Sequence, residues 1–207
     1  VKGEGYKDGN YAITNNLGTL TIKDNEKTEI TITAKSAAKT YDGTPLTAGY
    51  EVTGLNSQLF TIEVKTTGSI TDVGTTDHVI DSYTIRNNDG TDVTKSFKTI
   101  HKVNGTLTIN KRQVTLTSES KTKDYDGKPL TAPVVTVSGD GFVDGEVEDI
   151  KATGTITDPG SVTNTIQYTE KENFKAGNYT ITKHEGTLTV NKNAAEIVVT
   201  PGSISRK

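Results

Sequence analysis

Two acidic loops hold the densest sets of oxygen ligands in the chain, Asn87-Asn88-Asp89-Gly90-Thr91-Asp92 and Asp140-Gly141-Phe142-Val143-Asp144-Gly145-Glu146. Carboxylate and amide oxygens gathered around glycines suit a hard cation such as calcium, which makes Asn87, Asp89, Asp92, Asp140, Asp144 and Glu146 the candidate metal ligands. Neither loop has EF-hand spacing and each occurs only once, whereas Asx turns explain the same residues without any metal. The plain-turn reading is therefore preferred, and no metal or cofactor is assigned. The chain has no cysteine, which removes thiolate nucleophiles and thiolate metal sites. His78, His101 and His184 share no ligand spacing and are expected to be ordinary surface residues. There is no Gly-x-Ser-x-Gly elbow and no recurring nucleophile with a base, so no catalytic residue is named and the chain is not read as an enzyme. An intramolecular Lys–Asn isopeptide bond would need both side chains and an acid inside a core. Inward Ile30 and Ile32 turn Lys35 outward, its counterpart is Glu119, and Asn110 and Asn191 alternate with inward aliphatic residues, so the bond is not expected.

What recurs is not a site but a phrase. Tyr41-Asp42-Gly43-Thr44-Pro45-Leu46-Thr47-Ala48 returns 84 positions later as Tyr125-Asp126-Gly127-Lys128-Pro129-Leu130-Thr131-Ala132. Gly68-Ser69-Ile70-Thr71-Asp72-Val73-Gly74 returns as Gly154-Thr155-Ile156-Thr157-Asp158-Pro159-Gly160, and Gly-Thr-Leu-Thr begins at Gly18, Gly105 and Gly186. Ordered markers at a near-constant offset define a tandem array. The divisions are 1–29, the closing hairpin of a preceding repeat with its linker; 30–110 and 111–192, two full repeats; and 193–207, the opening strand of a following repeat. Each full repeat is expected to fold alone, joined to the next by very few residues around Lys111.

The elements that carry these phrases are strands. Ile30-Thr31-Ile32-Thr33, Val114-Thr115-Leu116-Thr117 and Thr187-Leu188-Thr189-Val190 alternate apolar residues with threonine, the pattern of a half-buried strand. Tyr179 to Val190, with Gly186 between its halves, predicts a hairpin with glycine at the turn, and Asn104-Gly105 gives the first full repeat the same signal. Asp158-Pro159-Gly160 predicts a type II turn, for which Gly74 keeps the essential glycine in the other copy. Residues 146–152 admit a turn or two of helix, and 55–60 read as a loop. In the Tyr-Asp-Gly phrases, Gly43, Gly127, Pro45 and Pro129 have backbone reasons to be present, so Tyr41, Asp42, Tyr125 and Asp126 are read as structural-turn residues.

Taken together these motifs resemble the YDG and mucin-binding β-grasp-like (MBG) repeats of bacterial surface adhesins, over nearly all of both full repeats. One departure is that Lys98 stands where Tyr179 stands, with Phe97 one place earlier; a bulge would return the aromatic ring to the core. The resemblance implies a mainly β chain of small modules, β-grasp-like or Ig-like sandwich in topology, arranged as an extended rod. It implies an extracellular stalk, at the bacterial cell surface or anchored to the cell wall, that projects a ligand-binding region from the cell. The alternative is a glycan- or mucin-binding module acting by multivalency through loops or exposed Tyr50 and Tyr83. Hydrophobic residues make up 31% of the chain and aromatics 6%, with no Trp, which leaves each repeat a thin core. Lys+Arg 23 against Asp+Glu 26, interspersed, offers no cationic face for nucleic acid, and no apolar stretch is long enough to insert into a membrane as a helix. The expected partners are neighbouring repeats, a host glycan or mucin, and other copies meeting head to tail through the end strands, with Tyr11, Ile13, Leu20 and Ile22 at one end and Ala195, Ile197 and Val199 at the other.

Overall fold

The computed structural model describes residues 25–195 together with Glu4, Gly18, Val198, Gly202 and Arg206. The described chain is mainly β and falls into several sheets. Ile30, Ile32, Leu107, Ile109, Val114, Leu116, Leu188 and Val190 are all buried, as the alternation with threonine requires.

The first unit contains β1 (Asn25–Ala34), β2 (Ala37–Thr40), β3 (Tyr50–Thr53), β4 (Phe60–Thr67), β5 (Gly74–Asn87), β6 (Phe97–Val103) and β7 (Gly105–Asn110). Strand β1 lies between antiparallel β3 and parallel β6, and a second sheet runs β2-β7-β5-β4 with β2 parallel to β7. The second unit repeats the plan. Strand β8 (Arg112–Ser118) lies between β11 (Val135–Gly139) and parallel β16 (Tyr179–His184), while β17 (Gly186–Asn191) lies between β14 (Gly160–Asn164) and parallel β9 (Lys121–Asp124). Strands β12 (Val147–Ala152) and β15 (Ile166–Glu170) pair, as do β10 (Leu130–Thr131) and β13 (Thr155–Ile156). The β10–β13 pairing of Leu130 with Ile156 has its counterpart in the bridge between Leu46 and Ile70. Among the described residues no ladder crosses Lys111, which alone separates β7 from β8.

Several expectations are corrected. Strand β1 starts at Asn25 because β6 offers it a parallel edge as far back as Phe97, so residues 25–29 belong to the first full unit. Tyr11, Ile13, Leu20, Ile22, Ile197 and Val199 lie outside the described residues, and Ala195 is described but is in no strand. The two hairpins are absent: β6 and β7 do not pair, nor do β16 and β17, because the chain passes there from one sheet to the other. A Cβ on Gly105 would stand 2.4 Å from the Ala34 carbonyl oxygen, and one on Gly186 would stand 2.3 Å from that of Glu119. Glycine is needed for close approach to the neighbouring crossing between β1 and β2, or β8 and β9, and not for a turn. Ser36 Oγ accepts the Thr106 N–H and Ser120 Oγ accepts the Thr187 N–H, each at 3.0 Å, and these bonds tie the paired crossings together.

Residues 147–152 form β12 and not a helix, since Val147, Lys151 and Ala152 find partners on β15. Gly74 and Gly160 have φ of 150° and 157°, well beyond the value near +80° of a type II turn, and they open β5 and β14. Phe97 is buried, but the β1–β6 register shift lies in β1, between Asn25 and Glu29, where four steps oppose the two from Phe97 to Thr99, so the extra residues are not a bulge at Phe97.

Candidate functional site

The first unit has a core of its own, with Ile30, Ile32, Ala34, Ile80, Ile85 and Phe97 buried together, but one end of that unit packs into the core of the second. Tyr41 and Ile109, with Leu46, Ile70 and Val73, pack into one apolar cluster with Val114, Leu116, Ile166, Tyr179, Phe142 and Phe174 of the second unit. At its centre Glu146 is 3% exposed. Tyr41 donates its hydroxyl to Glu146 Oε1 at 2.6 Å, and Tyr179 donates to Oε2 at 2.7 Å. The Tyr179 oxygen in turn accepts the Val143 N–H at 3.1 Å. The Tyr41 ring meets Tyr179 edge-on at 5.6 Å and 81°, and Phe174 stacks on the other side of Tyr179 at 5.4 Å. A carboxyl group this deep is tolerated because both of its oxygens are hydrogen-bonded. Burial, reinforced by the bond to Glu146, pushes the Tyr41 phenol from 10.0 up to about 12, and burial raises that of Tyr179 too.

Two polar clamps flank this centre. Arg112, the first residue of β8, donates from Nε to Gly141 O at 2.7 Å, from Nη2 to Asp140 O at 2.6 Å and from Nη1 across the joint to Tyr41 O at 3.1 Å. The guanidinium fork makes three bonds from one rigid group. On the other flank, Asn178 Nδ2 donates to Asp72 Oδ1 at 3.0 Å, Asn178 Oδ1 accepts the Val73 N–H at 2.8 Å, and Lys175 pairs with Asp72 at 2.6 Å. These bonds hold the Asp72 carboxyl below its usual range, Lys175 contributing most. The conformation of Asn178 is set by the 3-10 turn Ala176–Asn178, which ends at Tyr179.

The Tyr-Asp-Gly phrases do form turns. Gly43 and Gly127 have φ of 78° and 74°. The Thr44 N–H and the Lys128 N–H each donate to the aspartate two residues before them at 2.9 Å. Lys39 Nζ reaches Asp42 Oδ1 at 2.6 Å and Thr44 O at 2.8 Å, and Lys123 makes the same contacts to Asp126 and Lys128. The Lys39 bond and those from Thr44 bring Asp42 down to about 2. Turn chemistry thus explains Asp42, Gly43, Asp126 and Gly127, but Tyr41 is also the residue that plugs the joint.

The other sequence candidates are dispersed. Asn87 Oδ1 accepts the N–H groups of Asp89 and Thr91, and Asp92 Oδ1 accepts that of Thr94. Asp140 Oδ2 accepts the Gln113 N–H, while Glu146 points inward to the tyrosines. Among the described residues no group of three or more acidic or histidine side chains is placed to hold a metal. His78 is not on the surface: it is 1% exposed, and its Nδ1 donates to the Lys35 carbonyl at 2.8 Å. It pairs across β5 and β7 with Gly105, as Asn164 pairs with Gly186, and Asn164 Nδ2 likewise donates to Glu119 O. Both side chains satisfy the carbonyl left open where the chain crosses between sheets. His101 and His184 are exposed, as are Lys35, Asn110 and Asn191. Tyr50 is 39% exposed, whereas Tyr83 is half-buried with Lys102 5.7 Å above its ring.

No protein-family model matches the chain, and no curated protein or solved structure does.

Proposed function

We propose that the chain is a run of spacer units from a bacterial surface adhesin of the YDG and MBG type: small β-sandwich modules in tandem that hold a ligand-binding region away from the cell wall and perform no catalysis. A spacer has to resist bending at its joints. The observation that supports this reading is the joint itself, where a single linking residue is combined with a buried Tyr41–Glu146–Tyr179 contact and flanking Arg112 and Asp72–Asn178 clamps. Stiffness at such a joint comes from bonds made across it and not only from a short tether.

The absence of cysteine allows a clean test with a nitroxide pair introduced at Ser57 and Asn193, both exposed. The expected result is one narrow distance distribution by pulsed dipolar spectroscopy, broadened by Glu146→Ala. A broad distribution in the original chain would remove the basis for a spacer. The multivalent glycan-binding alternative draws on the exposed Tyr50 and on an open depression lined by Tyr83, Asp92, Val93, Thr94, Lys95 and Ser96. Saturable attachment of the chain to mucin, lost in Tyr50→Ala or Tyr83→Ala, would favour that reading over the spacer.

A further inference from the structure

The end of the second unit that bears Tyr125 repeats the surface with which the first unit enters the joint. The Tyr125 N–H donates to Asn191 O at 2.9 Å, as the Tyr41 N–H donates to Asn110 O at 2.9 Å. Leu130 meets Ile156 as Leu46 meets Ile70, and the Lys123–Asp126 clamp repeats that of Lys39 and Asp42. Asp158 and Pro159 stand where the other copy has Asp72 and Val73. The difference is in what covers them. Tyr41 is 3% exposed and Tyr125 is 38% exposed. Asp72 is held by Lys175 and Asn178, whereas Asp158 is exposed and, among the described residues, has no ion pair; nor has the Tyr125 hydroxyl a partner there.

We propose that this end of the second unit is a docking face for one further β unit of the second unit's kind, a partner that places a buried carboxyl group, a tyrosine, an asparagine and a lysine where Glu146, Tyr179, Asn178 and Lys175 stand in the existing joint. The partner's chemistry follows from what the face offers. A phenol entering an apolar pocket needs an acceptor there, since a buried donor without one keeps the full cost of leaving water. Ile156 and Pro159 need an apolar wall, and Asp158 needs an amide and a cation. A unit of the first kind does not supply these groups. Phe60 opens β4 where Glu146 precedes β12, and Phe97 follows the 3-10 turn Thr94–Ser96 as Tyr179 follows its own. Phe60 and Phe97 pack edge to face at 5.1 Å and 87°, with Ser96 and Val93 in the places of Asn178 and Lys175. The inference concerns the joint alone and holds whether an array of such units serves as a spacer or as a glycan binder.

The test lengthens the whole chain by joining residues 111–192 again directly after Asn191, so that one lysine links the units as Lys111 does at the first joint. Nitration by tetranitromethane is then mapped to individual tyrosines. In the original chain Tyr125 is expected to react on the order of tenfold faster than Tyr41, and in the lengthened chain to slow to the Tyr41 rate, as a group reachable only by local opening does. Glu146→Phe in the added copy alone should restore the fast reaction while Tyr41 stays protected. If Tyr125 reacts as fast as before while the amides of the added copy resist hydrogen exchange, the docking face does not exist. An added copy that stays unfolded counts against the proposal equally, because the same residues fold against the equivalent face of the first unit. Joining residues 25–110 at the same place and finding Tyr125 equally protected would overturn the partner's assigned chemistry.

Discussion

Tyr41→Phe removes one oxygen from the joint and leaves the ring, so it isolates the bond to Glu146 from the packing around it. The Tyr41 side chain is 3% exposed and its hydroxyl lies 2.6 Å from Glu146 Oε1, while Tyr179 keeps the other oxygen at 2.7 Å. No cavity opens beyond the lost hydroxyl. A hydrogen bond to a charged group contributes about 1.5–3 kcal/mol, and that is the expected loss, against about 5–15 kcal/mol for a typical domain. Glu146→Gln keeps the volume but turns an amide N–H toward one of two phenols that themselves donate, at a cost of about 1–3 kcal/mol. If both substitutions act through the same bond, the double variant loses less than the two single losses combined, with a coupling of about 1–2 kcal/mol. The chain lacks Trp, so tyrosine emission can follow urea unfolding directly. Hydrogen exchange at Val143, whose N–H donates to Tyr179, and at Val73, whose N–H donates to Asn178, reports whether the loss is at the joint. Additivity within about 0.3–0.5 kcal/mol would mean that the phenol and the carboxyl do not act together, and the account of the joint would fail.

Alkaline pH should weaken the same contact. The folded chain holds the Tyr41 proton up to about 12 against 10.0 when unfolded, so stability is intact below pH 10 and falls as pH rises toward 12, by up to about 1.4 kcal/mol per pH unit for each such phenol. Tyr41→Phe should make that fall shallower in pH-dependent urea titrations, and an unchanged slope would contradict the assignment. Gly186→Ala should lower stability by about 1–3 kcal/mol or more, since its Cβ has no room, while Gly177→Ala, with nothing within 4 Å of the added carbon, should stay within about 0.5 kcal/mol in the same melting assay. His78→Leu should cost about 1–3 kcal/mol by leaving the Lys35 carbonyl unbonded, and His78→Asn should recover part of this, as Asn164 serves in the second unit; equal losses for both would refute the role. Calcium and chelator should leave the melting temperature unchanged, because the side-chain oxygens of Asn87, Asp92 and Asp140 already accept backbone N–H groups, and a rise of several degrees with calcium would overturn this.

The strands were legible because their information is local: alternation sets which face is buried, and the buried residues are those the alternation marks. The crossings were not. Asn104-Gly105 carries a hairpin signal at short range, but its partner is Ser36 Oγ, which accepts from Thr106 at a separation of 70 residues, and no local pattern announces that pairing. A signal was nonetheless present. Ser36 and Ser120, and Lys39 and Lys123, recur at the 84-residue spacing of the Tyr-Asp-Gly phrases, and a shared serine and lysine beside a shared turn mark the bonds that hold the crossing and the turn. Comparing the repeats misleads where they diverge. His78 and Asn164 do one task with different side chains, and a lone histidine reads as surface until the register shows it opposite Gly105. Glu146 was hidden in the same way, since its counterpart is Phe60 and an acidic residue beside Asp140 and Asp144 reads as part of a solvated loop.

That divergence bears on what the joint is for. A buried carboxyl group carries a desolvation cost that apolar residues of similar volume avoid, and replacing such a polar group by a packed apolar one is often neutral or stabilising. The apolar solution exists within the same chain, as the edge-to-face pair of Phe60 and Phe97. Closing the end of a unit therefore does not require Glu146. What the glutamate adds is a demand on the partner: two oxygens in an apolar setting must both be met by donors, and at this joint the incoming donor is the Tyr41 hydroxyl. A tip that brought leucine or phenylalanine to that place would fill the space and leave Oε1 unbonded, which is selection by the cost imposed on the wrong partner. The Asp72–Asn178 contact adds a second demand beside the first, because Asn178 is buried and its amide must meet both the Asp72 carboxylate and the Val73 N–H, so that a unit rotated about the Glu146 contact leaves that amide unbonded. Two such demands within one apolar contact fix orientation as well as identity, which a greasy contact of the Phe60 and Phe97 type does not do.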